Sequence, residues 1–364
     1  MPSVVRPVVP HHVPPPRTKA NFEYTDLAIL NFSKIGTPEG RAELTVQLHD
    51  VMKTHGFFYI VNHGLSQAEE ERMFDIANVP FSGVPAEEKS NYLANIKHDG
   101  SYQGYKPREF LMIDGGVRDQ REDYNVNHDV TRKQHPQAVQ FLIPEIEAFA
   151  RFNHMQILHP LLRLFALSLE LPEDTFVNMH NWDAVGESYV RMMKYYSRSA
   201  EDEIKAKQVW LKGHTDIGTI TLLWSQPVAG LQVFSPDGKW RYVRHIENAL
   251  VVNSGDAMEF LSGGYYKPTI HRVMQPPEDQ RSYERLCLIY FAMTDDDVKL
   301  VPRIESPVLQ KHGIQRRWSN DVDAPTMEAW RKGRTSTYGQ VELTKKENGI
   351  EEYMVNGIPD KYYS

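Results

Sequence analysis

The chain has 364 residues, of which 41% are hydrophobic and 24% charged, and these proportions exclude a collagen, a fully disordered chain and a disulfide-stapled mini-protein. Cys287 is the single cysteine, which excludes an intrachain disulfide and a cysteine-based zinc or iron–sulfur site, and which favours a reducing, cytoplasmic compartment. The net charge of −7 argues against a nucleic-acid-binding protein, and the sequence has no apolar stretch of membrane-spanning length, so neither nucleic acid nor membrane is expected as a partner.

The first half of the chain is predicted to be mainly helical. Residues 1–20 are rich in proline and predict an extended or mobile tail. Residues 21–186 then show helical apolar spacing around two short strands, an entry strand in FEYTDLAILNF and the apolar strand FFYIV, which an Asn-His-Gly turn closes. From residue 138 to residue 170 Pro144 and Pro160 interrupt the helical spacing, which predicts two or three consecutive helices or one kinked helix.

The second half changes to short runs rich in Val, Ile, Leu and Tyr, separated by Gly, Pro, Asp and Asn. Seven or more strands at this spacing predict a closed or double-layered β structure over residues 187–300. Residues 301–364 predict a C-terminal extension that packs on this core and contains one helix, TMEAWRKGRTSTYG. Helices followed by strands indicate an α+β fold, either as about two domains or as one large fold with helical additions.

Two short motifs contain candidate metal ligands. His214 and Asp216 precede the apolar strand IGTITLLW, and side chains two residues apart on a strand point to the same face. About one His-x-Asp is expected by chance here, so this motif alone fits a surface turn equally well. His271 lies in a second strand-like run, PTIHRV. Two histidines and a carboxylate from neighbouring strands would form the facial triad that is typical of oxygen-activating Fe(II) sites.

Arg285 is a candidate for binding an anion. It begins the strand-like run RLCLIYF, and an arginine buried in a β core is costly unless a carboxylate or phosphate pairs with it. Taken alone, an exposed strand arginine is an equal alternative. Arg281 competes for the same role, but we prefer Arg285 because Arg281 follows the polar turn PPEDQ.

The order of these motifs resembles that of the isopenicillin-N-synthase-like branch of the Fe(II)/2-oxoglutarate-dependent dioxygenases. The resemblance covers about residues 22–300 and rests on GFFYIVNHG, PAEEK, RMMKYY, HTD, GLQVF, NSGD, HRV and the strand at Arg285. It implies a double-stranded β-helix (jelly-roll or cupin-like) core with an N-terminal helical region and a short C-terminal helical cover. It also implies Fe(II) as the metal, 2-oxoglutarate as co-substrate and O2 as oxidant.

The resemblance further implies roles for individual residues. His214, Asp216 and His271 would ligate the iron and so form the catalytic centre. Arg285 would pair with the distal carboxylate of 2-oxoglutarate, and Tyr196, the second tyrosine of RMMKYY, would add a hydrogen bond to the same carboxylate.

Three more residues belong to the implied co-substrate site. Leu231 in GLQVF would pack against the methylene groups of 2-oxoglutarate. Cys287 stands where the family has a serine two residues after the arginine, and a thiol is the weaker hydrogen-bonding group. Lys194 stands where the family commonly has asparagine.

Residues of the substrate pocket are less constrained by the sequence. The segment SYQGYKPREF lies where the family has a pocket-forming loop, so Tyr102, Tyr105 and Lys106 are candidates. Phe291 occupies a position that often lines the pocket, and Arg191 would favour an anionic or phenolic substrate. The alternative for each of these residues is an ordinary structural place in a loop or strand.

The sequence therefore predicts a dioxygenase that oxidises a small organic molecule and releases succinate and CO2. The family resemblance leaves hydroxylation, desaturation and ring rearrangement open, and by analogy it points to secondary metabolism. Three alternatives also stay open: an iron oxidase of the same fold that does not use 2-oxoglutarate, a silent member that only binds a small ligand, and a zinc hydrolase. The zinc hydrolase ranks last because the sequence contains no HExxH motif.

Overall fold

A computed structural model describes residues 9–336, 344–345, 351–355 and 357–363 of the chain. The helices in these ranges are α1 (Pro38–Thr54), α2 (Gln67–Ser82), α3 (Ala86–Lys89), α4 (Ile96–Asp99), α5 (Gln137–Gln140), α6 (Ile143–Phe152), α7 (His159–Ser168), α8 (Ala200–Lys205), α9 (Asp256–Leu261), α10 (Pro307–His312) and α11 (Met327–Ser336). The strands are β1 (Ile29–Asn31), β2 (Phe57–Val61), β3 (Gly104–Lys106), β4 (Arg121–Asn127), β5 (Tyr189–Tyr195), β6 (Val209–His214), β7 (Ile220–Trp224), β8 (Leu231–Phe234), β9 (Trp240–Tyr242), β10 (Leu250–Ser254), β11 (His271–Met274), β12 (Arg285–Ala292), β13 (Thr344–Lys345), β14 (Glu351–Val355) and β15 (Ile358–Tyr362).

Two sheets form the centre of the fold. The larger sheet has the strand order β1-β2-β10-β7-β12-β5-β4-β3, and the smaller sheet has the order β6-β11-β8-β9. Both sheets contribute side chains to one cavity between them, so the double-layered β structure predicted from the sequence is confirmed. Strands β1 to β4 come from the N-terminal region and nevertheless join β5, β7, β10 and β12 in one sheet.

Side-chain alternation gives the larger sheet a core face and a cavity face. On β5, Val190 and Met192 point into the main hydrophobic cluster, which helices α1, α2, α6 and α7 complete. Arg191 and Tyr195 point the opposite way and line the cavity between the sheets. Odd-numbered and even-numbered residues of this strand therefore lie on opposite faces, and only those on the cavity face can contact a ligand in the cavity.

The helical region that precedes β5 contains two prolines, one near the start of α6 and one near the start of α7. Pro144 lies in the first turn of α6, where a missing amide donor costs no helical hydrogen bond, whereas Pro160 lies at the start of α7, directly after a π-helical segment. Between these helices Asn153–Leu158 forms a π-helical segment, so the chain continues from α6 into α7 without leaving the helix. Of the two predicted alternatives, residues 143–168 therefore correspond to one continuous helix with a π-helical segment inside it rather than to separate helices.

The proline-rich tail is extended and bound to the protein surface over residues 9–20. The amide of His12 donates to Oδ1 of Asp75 at 2.6 Å, and the amide of Lys19 donates to Oδ2 of Asp279 at 2.7 Å. Residues 1–8 of the predicted tail lie outside the described residues.

The C-terminal extension contains the predicted helix and an additional hairpin. Helix α11 matches TMEAWRKGRTSTYG as far as residue 336, and the last three residues of that motif lie outside the described ranges. Strands β14 and β15 form the hairpin, which the sequence did not predict, and Val355 and Ile358 pack in one cluster with Trp330 of α11. No helix within the described ranges is both long enough and apolar enough to cross a membrane.

Candidate active site

Three side chains from two neighbouring strands and the loop that follows one of them form a compact cluster. His214 ends β6 and His271 begins β11, and the antiparallel register places these two residues directly opposite each other. Asp216 lies two residues beyond His214, in the loop before β7. Each histidine Nε2 is 3.8 Å from Oδ1 of Asp216, and all three potential ligand atoms lie within 4.8 Å of one another.

The remaining polar atoms of this cluster are already bound by the protein. Nδ1 of His214 lies 2.9 Å from the carbonyl oxygen of Lys212, and Nδ1 of His271 lies 3.2 Å from that of Thr269. A carbonyl only accepts hydrogen bonds, so each proton belongs on Nδ1 and each Nε2 keeps its lone pair for a metal. Two imidazole nitrogens and one carboxylate oxygen are the donor set of the facial triad, so these residues fit Fe(II).

The carboxylate of Asp216 is held on its other oxygen. Oδ2 accepts a hydrogen bond from Oγ1 of Thr221 at 2.6 Å and from Nδ2 of Asn253 at 2.8 Å. Burial acts to raise the pKa of Asp216, but the neighbouring His271 and His214 and these two hydrogen bonds lower it below its ordinary value. Burial and the neighbouring His271 lower the pKa of His214. The cluster therefore presents an ionised carboxylate beside a neutral His214, which suits metal binding.

The NSGD motif supports the loop that carries Asp216. The amide of Asp256 donates to the carbonyl oxygen of Asp216 at 2.8 Å, and the amide of Gly255 donates to that of Thr219 at 3.0 Å. A methyl group on Gly255 would lie only 2.7 Å from the carbonyl oxygen of Asp216, and closer still to that of Gly218. Glycine is therefore required here by the close approach of two backbone segments.

A cavity of about 770 Å³ adjoins the cluster, and its polar end fits a carboxylate. Arg285 is 4% exposed and pairs in register with Tyr195 of β5. Its Nε donates to the carbonyl oxygen of Val228 at 3.2 Å and its Nη1 to Sγ of Cys287 at 2.6 Å, and within the described part of the chain it has no acidic partner. Oη of Tyr195 is buried without a hydrogen-bond partner among these residues. A carboxylate bound here would satisfy both groups.

The structure corrects two of the predicted co-substrate contacts. Tyr196 follows β5 with the opposite parity to Tyr195, and its hydroxyl donates to Oε2 of Glu122 at 3.2 Å, outside the cavity. Lys194 also points away from the cavity, where its Nζ donates to Oδ1 of Asn78 at 3.2 Å and pairs with Glu284. Because neighbouring side chains on a strand face opposite sides, it is Tyr195 rather than Tyr196 that lines the cavity.

The other predicted co-substrate residues lie at or beside the polar end of the cavity. Leu231 lines the cavity, as expected. Cys287 shares the cavity-facing parity of Arg285 but is fully buried and contacts the guanidinium rather than the open space. Arg281 is exposed after a short 3-10 turn, which supports the choice of Arg285 over Arg281.

Three of the five predicted substrate residues line the cavity. These are Tyr102, Arg191 and Phe291. Tyr105 instead packs in the main hydrophobic core and donates its hydroxyl to the carbonyl oxygen of Pro80 at 2.9 Å. Lys106 is buried in an ion pair with Asp119 and is likewise absent from the cavity wall. Their pocket roles are corrected because β3 places them in the interior rather than at the cavity surface.

Several residues of the site were not predicted from the sequence. Tyr195, Thr221, Asn253 and Arg121 all line the cavity. The position of Tyr195 could have been found from the sequence. Arg191 and Tyr196 are an odd number of residues apart on one strand and cannot both face the cavity, whereas Arg191 and Tyr195 can. The contacts of Thr221 and Asn253 with Asp216 depend on pairing between β7 and β10, which has no local signal in the sequence.

A facial triad candidate between the two sheets, beside a cavity whose polar end fits a carboxylate, is typical of the non-haem iron oxygenases. Two family descriptions match the chain. Residues 188–294 match the 2OG-Fe(II) oxygenase superfamily, and residues 27–146 match the N-terminal region of the non-haem dioxygenases in morphine synthesis. The chain belongs to the 2OG-Fe(II) oxygenase superfamily and is a 2-oxoglutarate- and Fe(II)-dependent dioxygenase.

Individual relatives agree with this membership. The 2-oxoglutarate-Fe(II) type oxidoreductase hxnY of Emericella nidulans is 28% identical over 344 residues, which cover 88% of this chain and 92% of that protein. The 2-oxoglutarate-dependent dioxygenase citB of Monascus ruber is 26% identical over 340 residues, which cover 89% and 98%. The structure of a full-length Neurospora crassa protein in complex with alpha-KG and 5-formyluracil superimposes with a TM-score of 0.72 at 21% identity, over 85% of this chain and 96% of that one. This likeness confirms the double-stranded β-helix fold.

Proposed function

We propose that this dioxygenase oxidises a C–H bond of a small organic molecule in secondary metabolism, and that His214, Asp216 and His271 hold its iron. One observation carries the assignment of the site: three ligand atoms of the required types converge beside a cavity that ends at Arg285 and Tyr195. The match of residues 27–146 to dioxygenases in morphine synthesis supports a role in secondary metabolism.

The chain prepares the metal site before iron binds. Backbone carbonyls keep the two imidazoles in the tautomer that directs Nε2 towards the metal, and Thr221 and Asn253 hold one carboxylate oxygen so that the other is free to ligate. Bound Fe(II), together with 2-oxoglutarate and O2, supplies the oxidising chemistry that releases succinate and CO2 and removes hydrogen from the substrate. The protein contributes a fixed arrangement of ligands, which lowers the cost of assembling the site.

The polar end of the cavity binds the co-substrate in this proposal. Arg285 pairs with the distal carboxylate of 2-oxoglutarate, and Tyr195 donates a hydrogen bond to it. Leu231 packs against the methylene groups. Cys287 accepts a hydrogen bond from Arg285 and so holds the guanidinium in place, while the serine of the family pattern is absent.

Apolar side chains form much of the remaining cavity wall. Ile217, Phe291 and Met293 belong to one hydrophobic cluster and line the space beside the metal ligands. They hold the apolar part of the substrate and exclude water from the reacting atoms. Hydroxylation, desaturation and ring rearrangement begin with the same removal of hydrogen, so the product has to be identified to distinguish them.

Anaerobic absorption spectroscopy tests the proposed site. We expect Fe(II) followed by 2-oxoglutarate to produce a weak visible charge-transfer band in the wild-type protein. The Asp216→Ala variant should lose iron binding, and the Arg285→Ala variant should need at least about tenfold more 2-oxoglutarate for half of the band. Arg281→Ala is the matched control and should behave as the wild type.

The same titration decides between the proposal and its main alternative. Iron binding without any band would identify an iron oxidase of the same fold that does not use 2-oxoglutarate. Once the band is established, candidate substrates are screened for accelerated succinate release. The mass of the product then separates gain of one oxygen atom, which shows hydroxylation, from loss of two hydrogen atoms, which shows desaturation or an oxidative ring rearrangement.

A further inference from the structure

A buried glutamine connects the proline-rich tail to the loop between β7 and β8. Gln280 ends a short 3-10 turn and is 1% exposed. Its Nε2 donates to the carbonyl oxygen of Pro16 in the tail at 2.8 Å and to that of Pro227 in the loop at 3.0 Å. Its Oε1 accepts a hydrogen bond from the amide of Ala229 at 2.9 Å. A buried carboxamide is costly unless it is hydrogen-bonded, and both ends of this one are.

The partners of Gln280 fix the orientation of its carboxamide. The carbonyl oxygens of Pro16 and Pro227 only accept hydrogen bonds, and the amide of Ala229 only donates. A carboxamide rotated by 180° would place Oε1 against both carbonyls and Nε2 against the amide, so all three hydrogen bonds would be lost. Gln280 therefore holds the loop at two defined points, Pro227 and Ala229.

The residue between these two points contacts the arginine that is proposed to bind 2-oxoglutarate. The carbonyl oxygen of Val228 accepts a hydrogen bond from Nε of Arg285 at 3.2 Å. The same oxygen accepts from Nε2 of Gln226 at 2.7 Å, and Oε1 of Gln226 accepts from the amide of Val228 at 2.9 Å. Because Gln280 binds the residue on each side of Val228, it constrains the position of the carbonyl to which the guanidinium is bound.

This loop is bordered by open space. Residues 225–231 all line a second cavity of about 170 Å³, and Arg17 and Thr18 of the tail also contribute to its wall. Arg285 and Leu231 line this cavity as well as the larger one. A segment beside an open space has fewer packing contacts to hold it, so its hydrogen bonds contribute more to its position.

We propose that Gln280 is a positioning residue for the binding of 2-oxoglutarate. It fixes the loop between β7 and β8, so that the carbonyl of Val228 holds the guanidinium of Arg285 in the orientation that receives a carboxylate. The pairing of a guanidinium with a carboxylate depends on the alignment of the two planar groups, so displacement of the Val228 carbonyl weakens it. This inference rests on the proposed function and adds a residue that acts on the co-substrate without touching it.

The Gln280→Met variant tests the proposal, because methionine is similar in length but has no N–H donor and only a weak acceptor. Anaerobic titration of the charge-transfer band gives the Kd for 2-oxoglutarate, and a separate titration gives the Kd for Fe(II). We expect the Kd for 2-oxoglutarate to rise at least about fivefold. The Kd for Fe(II) should stay within about twofold, because Gln280 binds the loop and the tail rather than the metal ligands.

Gln232→Met is the matched control. Gln232 is 6% exposed on β8, and its Oε1 accepts a hydrogen bond from Nε of Arg272 on β11 at 2.8 Å. The same substitution there removes a buried carboxamide whose partner lies outside the loop. We expect it to lower the free energy of unfolding, as Gln280→Met does, but to keep the Kd for 2-oxoglutarate within about twofold.

A double variant distinguishes positioning of Arg285 from a general loss of structure. In the Arg285→Ala background the guanidinium is absent, so adding Gln280→Met should change the Kd for 2-oxoglutarate by less than about twofold. An equal rise in Kd with and without Arg285 would show that Gln280 does not act through the arginine, and it would overturn the proposal. An unchanged Kd in the single variant would do the same.

Hydrogen–deuterium exchange of the wild type adds a measurement that does not require the variant to fold. Because coupling is reciprocal, a co-substrate that binds better when the loop is fixed must also reduce opening of the loop. Saturating 2-oxoglutarate on the Fe(II)-loaded protein should therefore slow exchange of the Ala229 amide at least about threefold. Unchanged exchange would contradict the proposal. If the wild type forms no charge-transfer band the proposed function fails, whereas an intact band with a Kd that Gln280→Met does not alter removes only the role of Gln280.

Discussion

Replacement of either of two adjacent tyrosines by phenylalanine should have opposite consequences. Oη of Tyr195 is buried at the polar end of the cavity next to Arg285, whereas Oη of Tyr196 donates to Glu122 on the other face of the strand. In the Tyr195→Phe variant, 2-oxoglutarate loses one hydrogen bond to its charged carboxylate, which is worth about 1.5–3 kcal/mol. At about 1.4 kcal/mol per factor of ten, the Kd for 2-oxoglutarate should rise about 10- to 150-fold.

Tyr196→Phe is the matched control for this change. It removes one hydroxyl from the neighbouring position and breaks a hydrogen bond to Glu122, so the free energy of unfolding should fall by about 1 kcal/mol while the Kd stays within about twofold. The assay is an anaerobic titration of the charge-transfer band with 2-oxoglutarate, with urea unfolding of both variants in parallel. A tenfold rise in Kd for Tyr196→Phe, with an unchanged Kd for Tyr195→Phe, would refute the assignment of the two faces of β5.

Two further predictions concern stability. Gly255→Ala places a methyl group against the backbone carbonyl of Gly218, so it should lower the free energy of unfolding by about 1–3 kcal/mol and should also lower the affinity for Fe(II). Gly36→Ala is the control and should change neither quantity, because its added methyl group meets no atom within 4 Å. Burial lowers the pKa of His154 to about 3 and that of His180 to about 4, so below about pH 6.5 the unfolded chain binds protons that the folded chain excludes. Stability should therefore be complete above that pH and fall by about 2 kcal/mol for each of these histidines between pH 7.5 and pH 5. Urea unfolding at both pH values measures this loss, and an unchanged free energy of unfolding would show that the two histidines are not held neutral.

Much of the site could be predicted from sequence because its residues lie in local motifs. His214 and Asp216 are two residues apart, so the spacing between them can be recognised directly in the sequence. His271 and Arg285 each mark the start of a strand, so the apolar residues that follow them indicate their position. The family resemblance implied that the metal ligands lie close together in space. The structure brings His214, Asp216 and His271 together in this way.

The errors have a common physical cause. The parity of β5 depends on which of its faces the N-terminal helices cover, and both faces of this strand are buried, so polarity does not mark the cavity face. Tyr105 and Lys106 lie in a segment that was predicted to be a loop, but β3 pairs with β4 and both side chains are buried in the interior. Both cases concern pairing partners that are distant in the chain, and no local pattern encodes them.

Short motifs and the family resemblance were enough to indicate the dioxygenase class, a mainly helical region ahead of the main β core, the three candidate metal ligands and Arg285 as the candidate for the co-substrate carboxylate. Three features became clear only in three dimensions: which of two adjacent tyrosines faces the cavity, why NSGD contains a glycine, and how Arg191 lies among Tyr102, Tyr189 and Phe291. These features arise where strands and loops remote in sequence come within a few ångströms of one another. The distances between such segments depend on how the whole chain packs, so they cannot be inferred from any short stretch of sequence.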